Sequence, residues 1–255
     1  MLPGWIKNLK AMTFDVWNTL LVAKSYAKTR IEYLAKVLKR NGIFKGYEEM
    51  DAAYRLALEY TQRAITQGNY RHIPVAERLN YILEKLNCRL SESEKENLIN
   101  DFATVGLNDS PPLVDGAEEV LALLKPRYQI GIICGSGLIP GRVLRTVLQN
   151  KGILRYFEAL VFSDEVGYEK PHPIIFEKAL AELKVRPEKT VHIGDLLDAD
   201  VAGAKSLGLR AVWLNYDGKP NDTPYKPDLE IRRLLQLVEY FAPGTWKPKK
   251  FRHRY

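Results

Sequence analysis

Four short stretches of this chain hold side chains suited to phosphate and divalent-cation chemistry. They are Asp15-Val-Trp17-Asn-Thr19, Cys134-Gly135-Ser136-Gly137, the run from Ser163 to Lys170-Pro171, and Gly194-Asp195-Leu-Leu-Asp198-Ala-Asp200. Hard cations such as Mg²⁺ take carboxylate oxygens together with phosphate oxygens. A lysine supplies a point charge against a phosphate or a nucleophilic carboxylate. Gly-Ser-Gly ahead of a helix presents free N–H groups to an anion. A carboxylate at such a centre can itself attack phosphorus and form an aspartyl-phosphate.

These stretches have chemical meaning only if the fold brings them together, and the pattern of apolar residues predicts that it does. Residues 10–16 read as a short buried strand ending in an acid. From 22 to 110 the periodicity is helical: Ile31, Leu34, Ala35 and Leu38 repeat at i, i+3, i+4 and i+7, as do Leu79, Ile82, Leu83 and Leu86. Helices are also expected over 51–66 and 91–105, the second opened by a Ser91-x-x-Glu94 capping box.

After Pro111-Pro112 the pattern changes to helices alternating with short apolar strands at Gln129–Cys134, Ala159–Phe162, Thr190–Ile193 and Arg210–Leu214. A last helix is expected to carry Ile231, Leu234, Leu235 and Val238. Continuous apolar strands between helices indicate a parallel sheet covered on both faces, which binds ligands beyond the carboxyl ends of its strands. Each of the four stretches then falls at such an end. An all-helical block inserted after the first strand would lie above them as a lid.

In this order, and including the run Val161-Phe-Ser-Asp-Glu-Val-Gly-Tyr-Glu-Lys-Pro, the chain resembles the haloacid dehalogenase superfamily of hydrolases over nearly its whole length. The resemblance implies a Rossmann-like αβα core, an α/β fold, from 1–21 and 111–245, with a helical cap at 22–110. It implies Asp15 as nucleophile and metal ligand, the Trp17 carbonyl as a second ligand, and Lys170 against the nucleophile and phosphate charges. Thr19 would support the loop and, with Cys134, Gly135, Ser136 and Trp17, would line the phosphate site. Asp195 would bind Mg²⁺, with Asp200 or Asp198 beside it; the spacing Gly-Asp-x-x-x-x-Asp favours Asp200.

Two positions depart from the family pattern. Most phosphatases of the superfamily carry a second Asp two residues after the nucleophile as general acid and base, where this chain has Trp17. Loss of a general acid commonly costs ~10²–10⁴-fold in rate. The second motif usually offers Ser or Thr where Cys134 stands. The reading is therefore an Mg²⁺-dependent phosphatase of a small phosphorylated metabolite. The alternatives are a binding or regulatory protein with a degraded site, and a 2-haloacid dehalogenase. Dehalogenases also lack the second acid, but they replace the first acid of the last motif and tend to carry Tyr where this chain has Phe176.

His172 and His192 share no metal spacing and read as structural, and Cys134 reads as an inert buried thiol. Arg55, Arg71 and His72 are polar candidates for substrate choice on the insertion, with a plain surface position as the alternative reading.

Composition agrees with a folded enzyme. Of 255 residues 46% are hydrophobic and 27% charged, which excludes a disordered chain. No apolar run is long enough to span a bilayer, the first residues lack signal-peptide character, and two cysteines make no disulfide framework, so a cytoplasmic location is expected. The net charge is +7, and five Lys or Arg lie in the tail 246–255, which reads as a solvated end. No nucleic-acid-binding module is legible elsewhere. Oligomeric state is not encoded in any feature of the sequence.

Overall fold

The structure is a computed structural model and describes residues 3–245; the basic tail 246–255 lies outside the described residues. In chain order the elements are β1 (Ala11–Phe14), α1 (Ala27–Arg40), α2 (Tyr47–Gln67), α3 (Val75–Lys85), α4 (Glu92–Asn108), α5 (Ala117–Leu124), β2 (Gln129–Cys134) and α6 (Gly141–Asn150). Then come β3 (Ala159–Phe162), α7 (Ser163–Val166), α8 (Pro173–Leu183), β4 (Thr190–Gly194), α9 (Ala202–Ser206), β5 (Arg210–Leu214), β6 (Leu229–Ile231) and α10 (Gln236–Phe241).

All six strands pair in parallel in the order β3-β2-β1-β4-β5-β6. β1 is central, with Phe14 opposite both Ile132 and Ile193. Its four residues and the five of β4 are all buried, as a sheet covered on both faces requires. On one face Met12, Phe14, Ile132 and Ile193 pack with Val120, Leu121 and Val147; on the other Ile133 and Val161 pack with Phe176, Ala179 and Trp213. The chain leaves β1 toward β2 on one side and later returns to β4 on the other. This reversal opens a crevice at the carboxyl ends of β2, β1 and β4.

The expectation of a last helix beginning at Ile231 is corrected: Leu229–Ile231 is a sixth strand, and the helix begins only at Gln236. Ile231 does stand at helical spacing from Leu234 and Leu235. It is buried instead because β5 needs a partner, and Leu214 lies opposite it in that pairing.

The insertion is helical. Between β1 and β2 the described residues hold only isolated bridges, Trp17 with Leu21, Leu21 with Leu113, and Arg71 with Tyr168, and no strand. α1 to α4 surround their own apolar cluster, in which Ile31, Leu34, Leu38, Leu79, Ile82 and Phe102 are nearly inaccessible. The Ser91 capping box opens α4 as the sequence predicts: the Glu94 N–H donates to Ser91 Oγ, and the Ser91 N–H donates to Glu94 Oε2.

Backbone hydrogen bonds fasten the insertion to the core at two places. At its root the Val22 N–H donates to the Pro112 carbonyl, and the Val114 N–H to the Leu20 carbonyl. Near its tip the His72 N–H donates to the Gly167 carbonyl at 2.9 Å, and the Glu169 N–H to the Tyr70 carbonyl at 2.7 Å. No helix among the described residues is long and apolar enough to cross a membrane.

Candidate active site

Asp15 is the first residue after β1, where the Ile193 carbonyl of β4 accepts its N–H at 2.9 Å. The loop that follows turns back at once. Asn18 has a φ of 53°, a left-handed conformation that asparagine tolerates better than most residues. Its amide oxygen accepts the Ala23 N–H at 3.0 Å, and its amide nitrogen donates to Asp195 Oδ2 at 3.4 Å. The loop leaving β1 is thereby tied to the loop leaving β4.

Lys170 reaches into this crevice from the segment after α7. Its ammonium donates to Asp15 Oδ1 and to Asp200 Oδ1, both at 2.5 Å. Asp200 lies in the single irregular turn Leu197–Val201 ahead of α9. Its Oδ2 accepts the Leu196 N–H at 2.9 Å, and its Oδ1 also meets His192 Nε2 at 3.1 Å. His192 Nδ1 lies 2.9 Å from Thr13 Oγ1 on the neighbouring strand. A continuous polar chain thus runs Thr13–His192–Asp200–Lys170–Asp15. Gly194 permits it: a Cβ there would lie 2.2 Å from the Asp200 Cγ.

The electrostatics follow from burial. Asp15 is 5% exposed, and burial raises its carboxyl to about 7; Lys170 opposes the rise, while Asp200 and Asp195 add to it. Asp195 is raised to about 6, first by burial and then by Asp200. Burial also works against Asp200, but Lys170 and His192 outweigh it and hold that carboxyl well below its ordinary value. Lys170 is raised, because Asp15 and Asp200 more than offset its burial. His192 is lowered by burial in spite of Asp200, which keeps the ring neutral.

Ligand oxygens of Asp15, Asp195 and Asp200 lie within 4.8 Å of one another. Three carboxylates against one ammonium leave a buried negative excess. Among the described residues Asp15 Oδ2 takes no hydrogen bond, and the only side-chain partner of the Asp195 carboxylate is the Asn18 amide at its long 3.4 Å. Oxygen donors with a surplus of charge suit a hard divalent cation. Asp200 is already engaged on both oxygens, which suits it to hold Lys170 and shape the site from behind.

A cavity of about 380 Å³ opens over Asp15 and Lys170, lined also by Trp17, Gly135, Asp195 and, from α2 of the insertion, Thr66. Several expected phosphate contacts need correction. Thr19 and Cys134 are 0% exposed, so neither side chain reaches this cavity. Cys134 is held inert as well, since burial first and Asp15 second raise its thiol. Ser136 Oγ is spent on Ser163 Oγ at 3.0 Å and the Asp164 N–H at 3.2 Å, and it does not line the cavity over Asp15. Of the second motif, only Gly135 borders it. Asp198 borders it too.

Among the insertion candidates, Arg55 pairs with Asp51 on the surface and Arg71 with Glu77. His72 is buried, its Nδ1 2.7 Å from Glu169 Oε1. Sequence reasoning missed Asn18, Glu169 and the buried pair Arg30 and Arg78. The last two carried a signal: each stands four residues ahead of a core residue, Leu34 and Ile82, on the inward face of its helix.

A buried carboxylate paired with a lysine at the carboxyl edge of a parallel sheet, beside a helical insertion, is an arrangement suited to a Rossmann-like hydrolase. Residues 9–208 match the haloacid dehalogenase-like hydrolase model, and the chain belongs to that family of enzymes. It is 27% identical over 239 residues, 92% of this chain and 93% of the relative, to glyceraldehyde 3-phosphate phosphatase of Pyrococcus furiosus. To the pyrimidine 5'-nucleotidase YjjG of Escherichia coli it is 31% identical, covering 89% of this chain and 95% of that one. An (S)-2-haloacid dehalogenase of a Pseudomonas strain is 24% identical over 82% of the chain and 85% of the relative. The crystal structure of the HAD-hydrolase YfnB of Bacillus subtilis, bound to magnesium, shares the fold with a TM-score of 0.65 at 23% identity, over 92% of this chain and 99% of that one.

Proposed function

We propose that the protein is an Mg²⁺-dependent phosphomonoesterase acting in the cytoplasm on a small phosphorylated metabolite. The observation that carries this reading is the placement of one ammonium between Asp15 and Asp200, with Asp195 completing an acidic triad beside them. Two buried, unpaired cysteines agree with a reducing compartment. Residues 22–110 act as the cap and 1–21 with 111–245 as the core.

In this reading Asp15 Oδ2, the oxygen free of hydrogen bonds, attacks phosphorus while the bond to the leaving oxygen breaks. Water then releases phosphate from the aspartyl-phosphate and restores Asp15. Lys170 favours the ionised form of Asp15 against its burial and offsets charge on the phosphoryl oxygens. Asp15, the Trp17 carbonyl and Asp195 would hold Mg²⁺, with Asp200 behind them; an ion there would neutralise phosphoryl charge and favour the ionised carboxylates. Gly135 borders the phosphate site through its backbone.

The dehalogenase reading has the absence of a second acid in its favour, since a halide leaves without a proton. Asp195 argues against it: a reaction that needs no cation has no use for this excess of carboxylate. Phe176 is likewise fully buried, packed edge-on to His192 rather than facing a substrate.

The test is release of phosphate from a panel of small esters with Mg²⁺ and with chelator, with halide release from 2-chloropropionate measured in parallel. Mg²⁺-dependent phosphate release that Asp15→Asn abolishes is expected. Halide release with no phosphate release would replace this reading by the dehalogenase one, and neither activity would favour a binding protein.

A further inference from the structure

A second cavity, of about 290 Å³, lies between the helical insertion and the sheet, on the other side of Trp17 and Gly135 from Asp15. Its wall contains Lys24, Arg30 and Arg78, and no Asp or Glu. Lys24 is neutralised by Asp109. The two arginines are not neutralised by any contact, although they are 4% and 7% exposed. Arg30 donates from Nε to the Phe102 carbonyl at 3.0 Å, and from its other nitrogens to Tyr54 Oη at 3.4 Å and the Leu138 carbonyl at 3.5 Å, all neutral acceptors. Arg78 donates only from Nε, to the Ile73 carbonyl at 2.9 Å.

Among the described residues the terminal nitrogens of Arg78 have neither a hydrogen bond nor an ion pair. Among the described residues the only fully enclosed side-chain atoms without a partner are Thr19 Oγ1 and Ser110 Oγ, so these nitrogens are not sealed in protein. Arg78 lines this cavity. Glu169, whose Oε1 meets His72 and Ser163, is the carboxylate that acts most on Arg78, through space and without a hydrogen bond to it.

Two buried guanidinium groups without a carboxylate are an expensive arrangement, which an anion between them relieves. The planar fork of arginine matches carboxylate and phosphate alike. Trp17 and Gly135 line both cavities, which places the two side by side.

We propose that Arg30 and Arg78 bind a second anionic group, a carboxylate or another phosphate, carried at the far end of the phosphate ester held over Asp15. The proposal deepens the phosphatase reading and takes the identity of the reacting end from it. It narrows the substrate class to small esters with two anionic ends. Trp17, whose bulk replaces an acid at this position, forms the wall that passes between the two ends.

The experiment compares phosphate monoesters of ω-hydroxy acids of two to five carbons with alkyl phosphates of the same lengths. At one or more lengths the acid ester should show kcat/KM roughly ten- to a hundredfold above its alkyl partner, as expected for hydrogen bonds to a charged group. In Arg78→Met that ratio should collapse toward one, mainly through KM. Arg78→Lys, which keeps the charge but loses the fork, should lower it less and serves if the Met variant does not fold.

The same acid esters are titrated calorimetrically into Asp15→Asn, alone and combined with Arg78→Met. If no ester is hydrolysed by the wild type, yet binding to Asp15→Asn is lost with Arg78→Met, the reaction assignment falls and the anion site stands. If acid and alkyl esters are hydrolysed alike and Arg78→Met leaves their ratio unchanged, the phosphatase reading stands and the anion site is overturned. Free succinate that alters kcat for an alkyl phosphate without competing with it would mark the cavity as an effector site, and would also overturn the substrate assignment.

Discussion

His192 Nε2 lies 3.1 Å from Asp200 Oδ1, the same oxygen that receives the Lys170 ammonium. A carboxylate only accepts, so Nε2 carries the ring proton and Nδ1 accepts from the Thr13 hydroxyl. The histidine thus sets the position of the acid that sets the position of the lysine, without touching the reacting atoms. Replacing it with Leu should leave Asp200 and Thr13 each short of a buried partner, a loss of about 1–3 kcal/mol in stability. Thermal denaturation checks this, and a melting temperature equal to wild type would remove His192 from the positioning chain.

Mg²⁺ binding should weaken as pH falls below neutrality. Asp15 is raised to about 7 and Asp195 to about 6. A raised carboxyl pKa means the proton is held where an ordinary aspartate has already lost it, so protons compete with the cation across this window. Each competing proton costs on the order of tenfold in affinity per pH unit below its pKa. The thermal shift produced by Mg²⁺ should therefore be larger at pH 8 than at pH 6, and Asp195→Asn should reduce it at both. Equal shifts at the two pH values would show that neither carboxyl is a ligand.

Gly194→Ala should damage the site without replacing any charged group. A Cβ there lies 2.3 Å from Asp200 Oδ2 and 2.2 Å from its Cγ, and nothing else in the turn can absorb the overlap cheaply. Asp200 must swing away and take Lys170 with it. The expected result is loss of most phosphate release with the fold retained by circular dichroism. Activity close to wild type would mean that Asp200 is not needed where the structure puts it.

In the proposed reaction Trp17 would leave the departing oxygen without the proton donor usual at this position. The rate should fall steeply as the leaving-group pKa rises, with aryl and acyl phosphates least affected and alkyl phosphates most. Trp17→Asp should flatten that dependence. A wild-type rate independent of leaving-group pKa, with chemistry rate-limiting, would place the acid on another residue.

The parts of this design legible in the sequence are those whose logic is local. Each strand of the core is an unbroken apolar run, and Asp15, Lys170 and Asp195 follow such runs or their first turn, so their convergence could be read before any pairing was known. The Ser91–Glu94 box is equally local. What escaped depends on distant partners. Asn18 matters because of Asp195, and Glu169 because of His72 on the insertion. Ile231 has helical spacing, but a vacant sheet edge captured it. Thr19 and Cys134 stand at the right positions for phosphate contacts, but nothing in the sequence reveals that their side chains turn into the packed interior.

The pairing of Leu21 with Leu113 has a consequence for how this molecule can be rebuilt. The polypeptide departs from the sheet and rejoins it at adjacent points, so the helical block hangs from a doorway two backbones wide. A tight turn across that doorway would close the sheet with its strand order intact. A foreign helical block with neighbouring ends could be spliced in at the same place. If Arg30 and Arg78 hold the far end of the substrate as proposed, substrate preference becomes a transferable part on the removable piece, while the acidic triad stays with the frame.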